Sequence, residues 1–262
     1  MLLENKVIVV TGGSAGLGEQ ICYEAARRGA IVVICARRGQ LINKVKEHCM
    51  TLSGKPAYAF QLDIADPESV ENVIASIREK VGKVDILVNN AGFGIFQEFT
   101  EMKPETIRNM FEVNVLGMMV LTQQIALEMV DQRSGHIINV ASMAGKIATP
   151  KTAVYSATKF AVLGFSNALR LELKPFGIHV TTVNPGPIET AFFDQADPSG
   201  NYLASLGTFV LEPTKLAKTI VKAMIHPKRE INRPQVMGVA AKFYTLFPAF
   251  GDYLAGSLFN KK

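Results

Sequence analysis

Tyr155 and Lys159 are the pair of residues in this sequence with the clearest capacity for chemistry. They are four positions apart, so on a helix they share one face and the ammonium can approach the phenol. A free phenol titrates near about pH 10, and a nearby positive charge favours the phenolate. The pair therefore predicts a tyrosine that gives a proton to a carbonyl oxygen or removes one from an alcohol.

Ser142 adds a third group. It lies thirteen residues before Tyr155, just past the β-branched run His136–Val140. At the carboxyl edge of a parallel sheet, where ligands bind, its hydroxyl can hold the substrate oxygen. A tyrosine and a lysine at this spacing are common on helix surfaces, so the catalytic prediction for Ser142, Tyr155 and Lys159 also depends on a cofactor site.

That site is predicted at residues 11–18, which read TGGSAGLG where the first strand becomes the first helix. Glycines there permit a tight turn, so that a pyrophosphate can rest on the helix N-terminal amides. Such a turn needs glycine in any case, so the βαβ context carries the prediction. The predicted contacts are Gly12, Ser14, Gly16, Leu17 and Gly18.

Arg37 and Arg38 end the second strand, where an NAD-preferring site often has a carboxylate. A guanidinium matches the charge and planar geometry of a 2′-phosphate, which favours NADP(H) as the cofactor. The alternative is that the two arginines only solvate the start of a helix.

Strand-like and helix-like segments alternate along the whole chain, which predicts the elements that position these groups. The predicted strands are Val7–Thr11, Ile31–Cys35, Ala57–Leu62, Ile86–Val88, His136–Val140 and His179–Val183. The predicted helices are Leu17–Arg28, Leu41–Leu52, Ser69–Val81, Glu105–Met129 and Val154–Leu173. Strands joined by helical crossovers run parallel. We therefore expect one α/β domain over residues 1–262, a Rossmann-like doubly wound parallel sheet flanked by helices on both faces.

Composition excludes several classes of protein. Of the 262 residues 48% are hydrophobic and 19% charged, and the net charge of +5 is not gathered in a basic stripe, so nucleic acid is not an expected partner. The four histidines lack metal-ligand spacing, and no metal is predicted. Cys22, Cys35 and Cys49 lie in apolar segments as expected of reduced thiols, which indicates a cytoplasmic protein.

Residues 6 to about 226 resemble the short-chain dehydrogenase/reductase family. The resemblance rests on TGGSAGLG, the NNAG of Asn89–Gly92, Ser142, the YSATK of Tyr155–Lys159 and the NPG of Asn184–Gly186. It implies a Rossmann-like fold, a nicotinamide cofactor and a Ser-Tyr-Lys active site aided by Asn114.

The resemblance also implies roles for further residues. Lys159 contacts the nicotinamide ribose beside Tyr155, and Asn114 holds a water that extends the proton relay. Asp63 hydrogen-bonds the adenine, with helix capping before Pro67 as the alternative. The remaining cofactor contacts that it implies are Asn90, Pro185, Ile188 and Thr190.

Residues 188–212 are predicted to form a lid over the nicotinamide end. Apolar side chains there and near the site suggest a pocket for an apolar substrate, although local packing of the loop explains them equally. These side chains are Phe93, Ile95, Phe96, Met143, Ile147, Phe192, Phe193, Tyr202, Leu203, Leu206 and Phe209.

The tail, residues 228–262, departs from the family pattern because it continues past the place where a final strand normally ends the chain. It is aromatic with basic ends, so it could pack on a subunit, line the substrate entrance or associate weakly with a membrane. Pro248 and Asp252 argue against a continuous membrane helix. The family pairs its long helices between subunits, so we expect a homodimer or homotetramer, with the usual tetramer interface in doubt.

The predicted function is an NADP(H)-dependent oxidoreductase that transfers a hydride between nicotinamide and the carbonyl or secondary alcohol of an apolar small molecule. The alternative is a nucleotide-sensing regulator or scaffold that kept the fold and lost the chemistry. A sensor has no physical need for Ser142, Tyr155 and Lys159 together, so the enzyme is favoured.

Overall fold

The computed structural model of the chain describes residues 2–197 and 210–258. Seven parallel strands form one sheet in the order β3-β2-β1-β4-β5-β6-β7. The strands are β1 Val7–Thr11, β2 Ile31–Ala36, β3 Ala57–Gln61, β4 Ile86–Asn89, β5 Gly135–Val140, β6 Ile178–Pro185 and β7 Glu230–Arg233. The strand order reverses direction between β1 and β4, and ligands bind at such a switch point in open α/β sheets.

Helices cover both faces of the sheet because its strands are apolar on both sides. The helices are α1 Gly16–Arg27, α2 Gly39–Ser53, α3 Pro67–Lys80, α4 Pro104–Phe111, α5 Gly117–Gln132, α6 Ala153–Leu173, α7 Phe192–Ala196, α8 Pro213–Ile225, α9 Gln235–Leu246 and α10 Pro248–Leu258. Along β1, Ile8 and Val10 pack into one core, with α1, α2 and α8, while Val7 and Val9 pack into the other, with α3, α5 and α6. The doubly wound Rossmann-like fold is confirmed.

The long helix predicted near Glu105–Met129 is interrupted. A π-helical turn, Glu112–Leu116, separates α4 from α5 and carries Asn114. Such turns are frequent at functional sites. By length and composition alone the continuous span Pro104–Gln132 could cross a membrane, but half of its apolar 18-residue window is buried inside this fold. It serves as a core helix.

The tail begins with a strand that the sequence analysis did not predict. Its residues Glu230–Arg233 form β7, which pairs in parallel with β6, so a final strand is present and α9 and α10 follow it. Ile231 is the one apolar residue of this strand and the one that is buried. The strand therefore lacks the apolar run by which the other strands were predicted. Pro248 begins α10 and thereby divides the apolar stretch into two helices.

Candidate active site

A cavity of about 490 Å³ opens at the carboxyl edge of the sheet, around the switch point between β1 and β4. Every residue predicted for catalysis or cofactor binding lines it, with the exception of Asn114. The lining residues that were predicted are Gly12, Ser14, Gly16, Leu17, Gly18, Arg37, Arg38, Asp63, Asn90, Ser142, Tyr155, Lys159, Pro185, Ile188 and Thr190.

The glycine turn has no room for side chains. Gly12 and Gly16 have φ of +65° and +58°, in the left-handed region. A Cβ added at Gly18 would lie 2.3 Å from the carbonyl oxygen of Gly12, so the start of α1 packs directly on the turn. The residue before α1, Ala15, forms no side-chain cap, which leaves the first helix amides for a ligand. This cradle fits a pyrophosphate.

Asn90 fastens the glycine turn to β4. Its Nδ2 donates to the carbonyl oxygens of Thr11 and Gly12 at 3.0 and 3.2 Å. In return, the Thr11 hydroxyl accepts from the backbone amides of Asn90 and Ala91, both at 3.0 Å. The Asn90 side chain therefore holds the turn in shape, and Thr11 is a supporting residue that the sequence analysis missed.

The adenosine end of the cavity carries the two arginines and Asp63. Arg38 Nη2 donates to Ser14 Oγ at 2.9 Å, which ties the end of β2 to the glycine turn, and Arg37 is exposed beside it. Asp63 is not the cap of α3, since Asp66 performs that function by accepting from the Glu68 amide at 3.1 Å. The capping alternative for Asp63 was therefore wrong.

Lys159 is buried against the sheet next to Tyr155. Only 6% of its surface is exposed. Its Nζ donates to the carbonyl oxygen of Val140 at 3.1 Å and lies 5.8 Å from the centroid of the Tyr155 ring. Burial lowers the pKa of Lys159 to about 8. The ammonium thus stays charged at neutral pH, beside the phenol whose ionised form it favours.

Ser142 follows β5 and begins the 3₁₀ turn Met143–Gly145. Its Oγ accepts from the Ala144 amide at 3.0 Å, which fixes the position of the oxygen. Among the described residues, the acceptor of the Ser142 hydroxyl is the carbonyl oxygen of Pro185, at the long distance of 3.5 Å. The hydroxyl can turn to a substrate oxygen in the cavity at little cost.

Asn114 lies one layer behind the cavity. It is 2% exposed, and its side chain exchanges hydrogen bonds with the backbone of Phe93, at 2.9 and 2.8 Å, and donates to Thr158 Oγ1 at 3.1 Å. A Cβ added at Gly92 would lie 3.0 Å from Asn114 Oδ1 and 3.5 Å from Lys159 Nζ. Asn114 therefore holds the Gly92–Phe93 backbone in place beside Lys159. Its role in a proton relay stays a prediction.

Aromatic rings surround Tyr155 on the substrate side. Its ring centroid lies 5.7 Å from those of both Phe96 and Phe192, and the Phe193 ring lies 5.2 Å from that of Phe192. Gly94 leaves space for this packing, since a Cβ there would lie 2.9 Å from Tyr155 Cδ2. Of the other predicted pocket residues, Phe93, Met143 and Ile147 line the cavity and Ile95 packs behind it, whereas Tyr202, Leu203, Leu206 and Phe209 lie outside the described residues.

Several cavity residues were missed by the sequence analysis. Among them are Val113, Thr149, Thr152, Gln195 and Met237. Met237 comes from α9, so the tail contributes to the cavity wall. This agrees with the alternative in which the tail lines the substrate entrance. A Cβ added at Gly186 would lie 2.9 Å from Met237 Sδ. A single methionine in an apolar helix gives no sequence signal for such a contact.

Comparison with known proteins agrees with this geometry. Residues 6–200 match the family model for short chain dehydrogenase. The 3-ketodihydrosphingosine reductase of Bos taurus is 33% identical over 223 residues, covering 82% of this chain and 67% of the relative. A short-chain dehydrogenase of Sphingobium yanoikuyae in complex with NADPH superposes with a TM-score of 0.81, at 27% identity, covering 95% of each chain. The 3-ketoacyl-(acyl-carrier-protein) reductase of Brucella melitensis complexed with NADH superposes with a TM-score of 0.78, at 30% identity, covering 88% of this chain and 97% of the neighbour.

The sheet, the glycine turn and the buried Tyr155–Lys159 pair define a nicotinamide-dependent oxidoreductase that interconverts alcohols and carbonyls. The chain belongs to the short-chain dehydrogenase/reductase family.

Proposed function

We propose that this protein transfers a hydride between NADP(H) and the carbonyl or secondary alcohol of an apolar small molecule. One observation carries the proposal. A single cavity runs from the glycine turn, which fits a pyrophosphate, to the phenol of Tyr155 with the buried Lys159 beside it. A cofactor held at one end thereby reaches the acid/base at the other.

The preference for NADP(H) is supported by charge at the adenosine end. Arg37 and Arg38 line the cavity where a ribose 2′-phosphate would lie, and Ser14 already orients Arg38. The Sphingobium neighbour was solved with NADPH, whereas the Brucella neighbour was solved with NADH, so fold alone does not select the cofactor. When bound, the nicotinamide supplies or accepts the hydride.

The residues of the chain would handle the oxygen and its proton. Ser142 donates a hydrogen bond to the substrate carbonyl oxygen and polarises it. Tyr155 gives its phenolic proton to that oxygen during reduction and takes it back during oxidation. The Lys159 ammonium stabilises the resulting phenolate, and the carbonyl oxygen of Val140 holds the ammonium in position.

The apolar character of the substrate is supported by the rings of Phe96, Phe192 and Phe193 around Tyr155. Such a wall binds by removing apolar surface from water and excludes water from the reacting oxygen. The bovine relative is named for a 3-keto substrate.

We further propose a cytoplasmic homodimer or homotetramer with a weak peripheral contact between the tail and a membrane. Three free, buried thiols support a reducing compartment. Apolar side chains on the outer faces of α5 and α6, including Leu127, Phe160 and Leu171, are exposed and suit a subunit interface. Sedimentation analysis tests the oligomer, with a monomer as the contradicting result.

Tyr155→Phe tests the enzymatic function. It keeps the ring between Phe96 and Phe192 but removes the proton. We expect turnover in a screen of apolar ketones to fall by at least about 10²-fold while NADPH still binds. Unchanged turnover would refute the mechanism. Cofactor binding without turnover in the wild-type protein would instead favour the nucleotide-sensing regulator.

The cofactor preference is tested by titrating the protein with NADPH and NADH while following nicotinamide fluorescence. We expect NADPH to bind at least about tenfold more tightly, and Arg37→Ala to remove about 1.4 kcal/mol or more of that preference. Equal binding of NADH by the wild-type protein would refute it.

A further inference from the structure

One face of α9 and α10 is apolar and points to solvent. On α9 the apolar residues recur at the three- and four-residue spacing of a single helix face. The outer tail face comprises Val236, Val239, Ala240, Phe243, Leu246 and Phe247 of α9, the last just after the helix, together with Phe250 and Tyr253 of α10, all exposed. The opposite face of α9, with buried Gly238 and Ala241, packs on the protein. The apolar face of α9, which in most helices packs on the core, is thus exposed to solvent.

The outer tail face is continuous. The ring centroids of Phe243 and Phe247 are 4.8 Å apart, and those of Phe243 and Phe250 are 5.9 Å apart. Excluding Ala240, its members expose between 45% and 72% of their surface. Single exposed apolar residues are ordinary, but a contiguous aromatic patch marks an interaction site.

The sequence of the tail carries a net positive charge. From residue 235 to residue 262 the sequence has three lysines, Lys242, Lys261 and Lys262, and one carboxylate, Asp252. That carboxylate accepts a hydrogen bond from the Tyr244 hydroxyl at 2.7 Å, and Lys242 is exposed beside the apolar residues. Lys261 and Lys262 lie beyond the described residues, so they are counted in the charge of the tail but are not assigned a position. Aromatic and aliphatic residues flanked by lysine are typical of helices that lie in an anionic membrane interface.

We propose that the outer tail face docks on an anionic lipid bilayer, with α9 and α10 lying in the interface. The helices have 12 and 11 residues, too short to span the roughly 30 Å hydrocarbon core. A second copy of the chain would bring its own exposed Lys242 against this face, which disfavours self-association there.

Docking would also place the cavity beside the bilayer. Met237 lines the cavity from the same helix whose other side carries Val236 and Val239. Apolar carbonyl compounds dissolved in the bilayer would then reach Tyr155 without crossing bulk water. This delivery rests on the proposed function, whereas docking itself does not require activity.

Co-sedimentation of the full chain with vesicles tests docking. We expect binding to vesicles of phosphatidylcholine with roughly a third phosphatidylglycerol, and at least about tenfold weaker binding to phosphatidylcholine alone. The double variant Phe243→Ser, Phe247→Ser should lose at least about tenfold in partitioning, because each ring contributes buried apolar surface. Phe99→Ser is the matched control, since Phe99 is 59% exposed and belongs to the turn Phe99–Glu101, which is not part of the tail. It should bind like the wild type.

Three results would overturn the proposal. They are no vesicle binding by the wild-type protein, equal binding by the double variant, and a loss with Phe99→Ser as large as that of the double variant. A fall in oligomer mass in the double variant without vesicle binding would assign the face to a second copy instead. Reduction of a water-soluble ketone with NADPH, without vesicles, should be equal in the wild type and the double variant. Its absence in both would refute the proposed function and leave the vesicle result standing.

Discussion

Polar side chains lie buried at the carboxyl edge of the sheet, whereas apolar side chains lie exposed on the outer tail face. Lys159 and Asn139 are 6% and 0% exposed, while Leu246 is 72% exposed. Both regions depart from the usual distribution of residues, but in different ways. Lys159 and Asn139 have hydrogen-bond partners within the chain, Lys159 with Val140 and Asn139 with Asn89 and Ser166. In the part of the chain that the structure describes, the Phe243 ring contacts those of Phe247 and Phe250, and we propose that their partner is a lipid bilayer.

The largest effect is expected from Lys159→Met. In the proposed mechanism the buried ammonium stabilises the Tyr155 phenolate, so its loss should lower kcat/KM by about 10³-fold. The free energy of unfolding should not fall, because burying a cation opposes folding and methionine has a similar shape. Steady-state kinetics and urea denaturation on the same preparation measure both. A large loss of stability would mean that Lys159 is chiefly structural.

A pair of truncations compares an inward and an outward apolar face. Ile220 of α8 is fully buried, so Ile220→Ala should cost about 2–5 kcal/mol in unfolding free energy. Phe243 of α9 is 45% exposed, so Phe243→Ala should change the stability of the lipid-free protein by no more than about 0.5 kcal/mol. Urea denaturation of both variants and the wild type measures the two changes in unfolding free energy. Equal costs would show that Phe243 already packs on protein.

The buried amide network is expected to have a smaller effect. Asn139 accepts from Asn89 Nδ2 and donates to Ser166 Oγ, both at 2.8 Å, and thereby joins β5 to β4 and α6. Asn139→Leu keeps the size but leaves these partners less satisfied, so it should destabilise the protein by about 1–3 kcal/mol. Thermal unfolding measures the loss. An unchanged midpoint would show that the network is dispensable.

The smallest effect is expected from pH. Burial lowers the pKa of Lys159 to about 8, so its charge is lost above that pH and kcat/KM should fall about tenfold by pH 9. Stability should respond in the opposite direction. The unfolded chain keeps this proton up to about pH 10.4, binds more protons in that window, and so the contribution of Lys159 to stability rises with pH. A pH profile of kcat/KM that stays flat to about pH 9.5 would contradict the assignment.

Local signals explain why the cofactor half was predictable. The glycines of residues 11–18, the arginines after β2 and the apolar runs of β1 and β2 are each encoded by neighbouring residues. Their structure follows from backbone freedom, charge and side-chain alternation, which act over a few positions. Asp63 shows the limit of such local signals. The sequence left helix capping open for Asp63, and only the structure shows that Asp66 caps α3 instead.

The tail shows what local signals omit. The alternation in Glu230–Arg233 buries one apolar residue only, so pairing with β6 had to decide that it is a strand. The spacing of Val236, Val239 and Phe243 indicates a helix, yet the same spacing fits a face turned to the core or to solvent.

The sequence by itself determined the strand and helix alternation, the glycine turn, and the choice of Ser142, Tyr155 and Lys159 as the predicted catalytic residues, which the structure brings to one cavity. These features depend on residue type and short-range spacing. Only the tertiary structure decided that Asn114 stands behind the cavity, that Met237 of the tail enters its wall, and that α9 turns its apolar face outward. Each of these depends on which distant segments pack together, and packing is set by the whole chain rather than by any stretch of it.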